Sequence, residues 1–195
     1  MKPCYLSSSA DYPDDPGNDC TGIYASKSKV DLFAASLVGG PVTPSQERVR
    51  FAFHRAKLRI IGQLDYLANA DRTLLVSDRL ADIVVELARE DIQTLPAVIQ
   101  CEDGVTTDFQ VLHLLHLRRC IDRVRSIPEM VPGLNFPVNY TKLVLHENCM
   151  DGAMFARDAG YSSLVLIDRS IVEALRALPF TGFAIKEDQE YDGAQ

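Results

Sequence analysis

Leu74-Leu75-Val76-Ser77-Asp78-Arg79-Leu80-Ala81-Asp82-Ile83-Val84-Val85-Glu86-Leu87, with Ile92-Gln93-Thr94-Leu95-Pro96-Ala97-Val98-Ile99 behind it, is the stretch on which the fold turns. Leu74 to Val76 is a short apolar strand. Ser77 is a preferred N-cap, because its hydroxyl accepts from an amide that the first helical turn leaves unpaired, and Asp78 suits the positive end of the helix dipole. Leu80, Ile83, Val84 and Leu87 then recur at i, i+3, i+4 and i+7, which predicts one buried helical stripe. Pro96 lacks an amide hydrogen, so the return strand is expected to be an edge or to begin after it.

The chain writes this unit twice. In Leu164-Val165-Leu166-Ile167-Asp168-Arg169-Ser170-Ile171-Val172-Glu173-Ala174-Leu175-Arg176-Ala177-Leu178, 91 positions further on, Asp168 takes the place of the Ser77 cap. Ile171, Ala174, Leu175 and Leu178 take the places of Leu80, Ile83, Val84 and Leu87. Thr181-Gly182-Phe183-Ala184-Ile185 supplies an exit turn and a second return strand, with Gly182 where a helix end often needs a glycine. Two strand-cap-helix-strand units, 74–99 and 164–185, predict an α+β fold with mixed β-sheets and packed helices.

The rest of the chain is read around them. Val49, Phe51 and Phe53 alternate with polar or small residues, the period of a half-buried strand, and Cys4-Tyr5-Leu6 reads as a short opening strand. Gly22 to Val38 has no clean period. Phe109 to Leu117 is apolar on both faces and predicts a central strand covered on both sides, with a helix as the second choice. Leu143-Val144-Leu145 reads as another short strand, and Pro128 to Pro137 as a connecting loop. The expected organisation is a β-rich N-terminal part (1–70), a region carrying both units (71–187) and a flexible acidic tail (188–195).

With 195 residues, 47% hydrophobic and 24% charged, the chain has the length and the composition to bury roughly 70% of its unfolded surface without staples. The net charge of −7 is the wrong sign for gripping phosphate, so direct nucleic-acid binding is not expected; an acidic surface suits a basic partner. Five cysteines at scattered spacings, with no Cys-x-x-Cys pair, read as reduced thiols of a cytoplasmic protein. No apolar run predicts a membrane span.

No catalytic, cofactor or metal residue is assigned. His113 and His116 invite a metal reading, but three apart on a strand they face opposite sides, and no nearby ligand completes a set. Cys120, Cys149 and His146 offer no local nucleophilic pattern, and Asp108, Asp122, Glu147 and Asp151 are the carboxylate pairings any acidic chain contains. Val76-Ser77-Asp78 is not a catalytic serine at a strand end, because the second copy has Asp168 there; both residues suit a cap.

Leu75-Val76-Ser77-Asp78-Arg79-Leu80, the Ile167 to Leu175 copy leading to Thr181-Gly182-Phe183, and Cys120-Ile121-Asp122-Arg123-Val124-Arg125-Ser126 together resemble a family of bacterial immunity proteins. These are encoded with polymorphic toxins, many delivered by type VI secretion. The resemblance covers roughly residues 64 to 185. It implies a protein that binds and neutralises one cognate toxin in the cytoplasm, a nuclease among the candidates, without catalysis of its own and without a cofactor. The alternatives are a small hydrolase or metal-dependent enzyme using Asp, His or Cys, and a non-enzymatic adaptor. The expected partner surface comprises the acidic loop Asp11, Asp14, Asp15 and Asp19, then Glu147 and Asp151, and the tail residues Glu187 and Asp188.

Overall fold

The computed structural model describes residues 1–8, 23–24, 35, 37–43 and 48–191, so the acidic loop with Asp11, Asp14, Asp15 and Asp19 lies outside the described residues. In chain order the first strands are β1 (Cys4–Ser8), β2 (Ile23–Tyr24) and β3 (Val49–Phe53). A single helical turn, α1 (Leu58–Ile61), and a short β4 (Tyr66–Leu67) lead into the first unit. That unit is β5 (Leu74–Ser77), α2 (Asp78–Ala88), a 3-10 turn at Arg89–Asp91 and β6 (Ile92–Cys101). After it come β7 (Gly104–Thr106), β8 (Phe109–Leu114), β9 (Leu117–Arg118), β10 (Ile127–Glu129), β11 (Asn139–Lys142) and β12 (Phe155–Asp158). The second unit is β13 (Tyr161–Ile167), α3 (Arg169–Arg176) and β14 (Phe183–Lys186).

Two mixed sheets and a small hairpin result. The larger sheet runs β2-β3-β6-β8-β5-β4, with β7 also on β6; the other runs β14-β1-β13-β12-β9, and β10 pairs β11. Each unit has the same topology. β5 and β6 are both antiparallel to β8, so they are parallel to each other with β8 between them. β13 and β14 are likewise both antiparallel to β1, which the N-terminus inserts between them. Each helix is therefore the crossover of a split β-α-β unit, and α+β is the fold class.

Alternation along the strands divides the apolar residues between layers. Leu74 and Val76 join Val165 and Ile167 in one inner core, together with Leu80 and Val84 of α2 and Ile171 and Leu175 of α3. Leu75 points the other way, to Phe51, Phe53, Ile99 and the short α1. Leu164 and Leu166 point outward to Tyr5, Leu145 and Cys120. Burying a Leu or Ile side chain contributes about 1.5–3 kcal/mol, so the inner layer, which both sheets share, is a major source of stability.

Several local expectations are corrected. The buried stripe of α2 is Leu80, Ala81, Val84 and Ala88, with Ile83 and Leu87 only partly buried against it. In α3 it is Ile171, Val172 and Leu175; Ala174 is exposed, and Leu178 lies beyond the end of an eight-residue helix. The strand carrying Pro96 is internal rather than an edge. β6 changes partners there: Ile92 to Pro96 pair with β8, and Ala97 to Cys101 pair with β3 on the other side. Pro96 thus falls at the handover between the two ladders. The strand expected at Leu143-Val144-Leu145 is reduced to a bridge between Ile121 and Leu145, and the ladder falls earlier, on Asn139–Lys142 against the flank of the Pro-rich loop. β8 is central as expected but ends at Leu114. The tail begins with a 3-10 turn, Asp188–Glu190, held by side chains rather than free; residues 192–195 are outside the described set.

Gly182 sits at the seam between the units with φ +90, and a Cβ on it would come 2.4 Å from the Tyr66 carbonyl oxygen. The backbone has no room to yield, because Asp65 and Tyr66 both donate their amides to the Thr181 carbonyl at 3.1 Å. Gly182→Ala is therefore expected to lose about 2–3 kcal/mol of unfolding free energy in urea titration; a loss under about 0.5 kcal/mol would contradict this reading of the seam.

Candidate partner-binding surface

Three buried charged groups join the two units. Asp65, 3% exposed, accepts from Arg79 through Nε (3.2 Å) and Nη2 (2.6 Å), from Ser77 Oγ (2.7 Å) and, across the seam, from the Thr181 amide (3.0 Å). Asp91 accepts from the Met154 and Phe155 amides at 2.6 and 3.1 Å. Arg157 donates to the Ser162 carbonyl (2.7 Å) and to the Arg72 carbonyl (3.1 Å), and burial pulls its guanidinium down to about 10. Periodicity gave no sign of these three, since a single polar residue in an irregular segment has no pattern to betray its burial.

The sequence candidates for chemistry take structural places. Ser77 Oγ accepts the Leu80 amide at 3.2 Å, and Asp168 Oδ1 accepts the Ser170 amide at 2.9 Å, so both are caps. His113 is buried and donates from Nε2 to the Gly40 carbonyl, with burial as the main cause of its lowered pKa. His116 Nε2 lies 3.0 Å from Asp91 Oδ1, a different partner from that of His113. Among the described residues no group of three His, Cys, Asp or Glu is placed to hold a metal. The expectation of five reduced thiols is overturned: Cys120 and Cys149 form a disulfide, while Cys4 and Cys101 are buried thiols outside any disulfide and Cys20 lies outside the described residues. The bridge between Ile121 and Leu145 brings their two chain segments side by side, which spacing along the sequence did not reveal.

Of the expected partner-binding acids, four are described. Glu187 pairs with Arg169 at 2.8 Å. Asp188 takes Lys2 Nζ at 2.7 Å and the Leu145 amide at 2.9 Å; burial opposes its ionisation, but these bonds and the lysine charge hold its carboxyl below the usual range. Asp188 ties the C-terminal segment to the N-terminus through Lys2, and Glu187 ties it to α3 through Arg169. Glu147 and Asp151 are exposed, on the loop whose Asn148 accepts the N-terminal ammonium at 2.6 Å. Glu147 and Asp188 are therefore brought to one side of the molecule.

The surface that stands out is apolar. The segment from Val124 to Val138 exposes Ile127, Met130, Val131, Leu134 and Phe136, and Phe136 is 57% exposed. Phe136, Pro137 and Val138 form one wall of an open cavity of about 530 Å³, faced by Leu37, Leu117 and the β12–β13 turn. Asp158 builds that turn by accepting four amides, from Cys120, Ile121, Gly160 and Tyr161, at 2.8–3.1 Å. Contiguous exposed apolar residues around a concavity mark a place where another molecule binds. Single-residue polarity could have flagged Val124 to Phe136, had the Pro-rich composition not read as a bare connection.

A model described as the immunity protein family Imm11 matches residues 23–189. Comparison with the curated proteins finds no match. The match spans both units, the disulfide and the apolar segment.

The seam has a pH signature. Burial opposes ionisation of Asp65, but the Arg79 and Ser77 bonds, the Thr181 amide and the Arg79 charge outweigh it and leave its pKa below 3.8. Its contribution stands in full above that value and is lost as the pH falls through the lower folded one. Urea midpoints from roughly pH 6 to pH 2.5 should fall for the wild type, while Asp65→Asn should start lower by about 2 kcal/mol and fall less. Parallel curves for the two proteins would contradict this assignment.

Proposed function

The chain belongs to the immunity protein family Imm11, and from that premise we propose that it binds one cognate antibacterial toxin and neutralises it by covering the surface with which the toxin acts. The single observation that carries the reading is the family match across residues 23–189. A contiguous exposed apolar segment supports it, because inhibition by occlusion needs a surface and not a reaction centre. A type VI-delivered nuclease acting in the cytoplasm is the toxin class we favour. Nucleases are commonly basic where they hold phosphate, and the charge of −7 would steer an acidic protein toward such a surface. No helix among the described residues is long and apolar enough to cross a membrane.

Inhibition by binding gives a stoichiometric outcome. Co-expression with the toxin encoded in the adjacent reading frame should restore growth and yield a complex that co-purifies at a fixed ratio. Persistent toxicity in cells holding the folded protein, or rescue at strongly substoichiometric levels, would contradict it; the latter is the mark of an enzyme.

A further inference from the structure

One covalent bond closes the segment that carries the exposed apolar residues. Cys120 and Cys149, 29 residues apart, bridge the neck of a loop that holds Ile127, Met130, Leu134 and Phe136. Single hydrogen bonds cross the neck beside it. The His146 amide donates to the Cys120 carbonyl at 2.7 Å, the Asp122 amide to the Val144 carbonyl at 2.8 Å, and the Ser126 hydroxyl accepts the Val144 amide at 2.9 Å. The two sulfurs are placed unequally: Cys120 is 0% exposed, in the outer core with Tyr5, Leu145 and Leu164, whereas Cys149 is half-buried at the edge of that core. Cys149 also lies between Asn148 (φ 53) and Asp151 (φ 48), two side-chain-bearing residues held in the left-handed region. Such a turn persists only while its surroundings fix it. Apart from the sulfur bond, the Asn148 amide reaches the Met1 carbonyl at 3.0 Å and Arg118 Nε reaches the Met150 carbonyl at 2.8 Å.

Resting on the immunity reading above, which sets the protein among cytoplasmic thiols, we propose that Cys149 is a redox modification site and that the Cys120–Cys149 bond switches the apolar segment between a fixed and a loosened state. The reactant is a low-molecular-weight thiol of the glutathione class. Its thiolate attacks Sγ of Cys149, the sulfur nearer to solvent; the S–S bond breaks, and its electron pair leaves on Sγ of Cys120, which takes up a proton. A second thiolate attacks the small-molecule sulfur of the mixed disulfide and expels the Cys149 thiolate, which is protonated in turn. The protein gains two thiols, and two small thiols become one small disulfide; oxidation runs the same steps in reverse. Bridges in a reducing compartment are characteristically transient and redox-sensing rather than permanent staples. Opening this one removes the loop closure and a restraint on the turn from Asn148 to Asp151, so the segment between the cysteines samples more conformations. A loosened surface must be ordered again when a toxin binds, which makes the bridged form the tighter binder.

The test holds the full chain at a series of ratios of reduced to oxidised glutathione, quenches with an alkylating reagent and maps the cysteines by peptide mass. Cys120 and Cys149 should interconvert reversibly between bridge and thiols while circular dichroism shows the fold retained. Any glutathione adduct captured on the way should sit on Cys149; one on Cys120 instead overturns the assignment of the attacked sulfur. On reduction, hydrogen exchange in peptides spanning 120–152 should speed up about tenfold more than in β5 (Leu74–Ser77). Cys149→Ser should match the reduced wild type and ignore glutathione; if it does not fold, the reduced wild type decides alone. A pair that never bridges, a pair that stays bridged until the protein unfolds, or equal acceleration in both regions overturns the switch. The immunity reading then still stands, since no toxin enters these arms. In calorimetry with a catalytically inactivated form of the toxin from the adjacent reading frame, reduction should weaken binding about tenfold; equal affinities in the two states overturn the effect on binding. A protein that binds the toxin in neither state and gives no growth protection overturns the immunity reading, and the effect on binding with it, while the glutathione and exchange arms still decide the switch.

Discussion

Leu80 and Val84 of α2 and Ile171 and Leu175 of α3 belong to one buried apolar layer to which both sheets contribute, and the two units are held together around that layer. A strand-cap-helix unit has one apolar stripe and one apolar strand face, and neither can stay in water alone. Writing the unit twice lets each copy cover the other. Backbone at such a seam must still satisfy its polar groups; Asp65 and Asp91 accept from its amides, and Arg157 donates to its carbonyls. A buried charge stabilises only when its bonds are nearly complete, which is why Asp65 holds four donors and Arg157 faces two carbonyls.

With the inner layer committed to stability, the parts free to meet a partner are those that leave the units. The segment between β9 and β12 is anchored at intervals: by Asp158 on the Cys120 and Ile121 amides, by Asp122 on Val124 and Arg125, and by the Cys120–Cys149 disulfide. Arg125 and these amides bring the Asp122 carboxyl down to about 2. Between the anchors the chain displays apolar side chains outward, an arrangement whose desolvation is gained on binding rather than on folding. A rigid frame bearing a supported irregular segment is how binding residues are commonly presented.

Much of the frame was legible in the sequence because it follows local rules. Ser77 and Asp168 cap their helices, Gly182 is the exit glycine and β8 is central, while β3 keeps Val49, Phe51 and Phe53 in one core but buries Ala52 as well. The errors share a cause: each depends on a partner distant in the chain. Pro96 sits in an internal strand because β6 exchanges one neighbour for another there, and β1 is inserted between β13 and β14 from the far terminus. The ion pairs of Glu187 with Arg169 and of Asp188 with Lys2 are likewise invisible in the spacing along the chain. Cysteine pairing was hidden for the same reason, since Cys120 and Cys149 are 29 residues apart and meet only through the fold.

Two copies of one unit that share an inner layer should open as a single cooperative body. Native-state hydrogen exchange in low denaturant tests it most directly, through the amides of Leu75 and Val76 in β5 and of Val165 and Leu166 in β13. The expected result is one opening free energy and one denaturant dependence for both strands, equal to those of global unfolding. Two separate opening energies, with one sheet exchanging while the other stays closed, would contradict it.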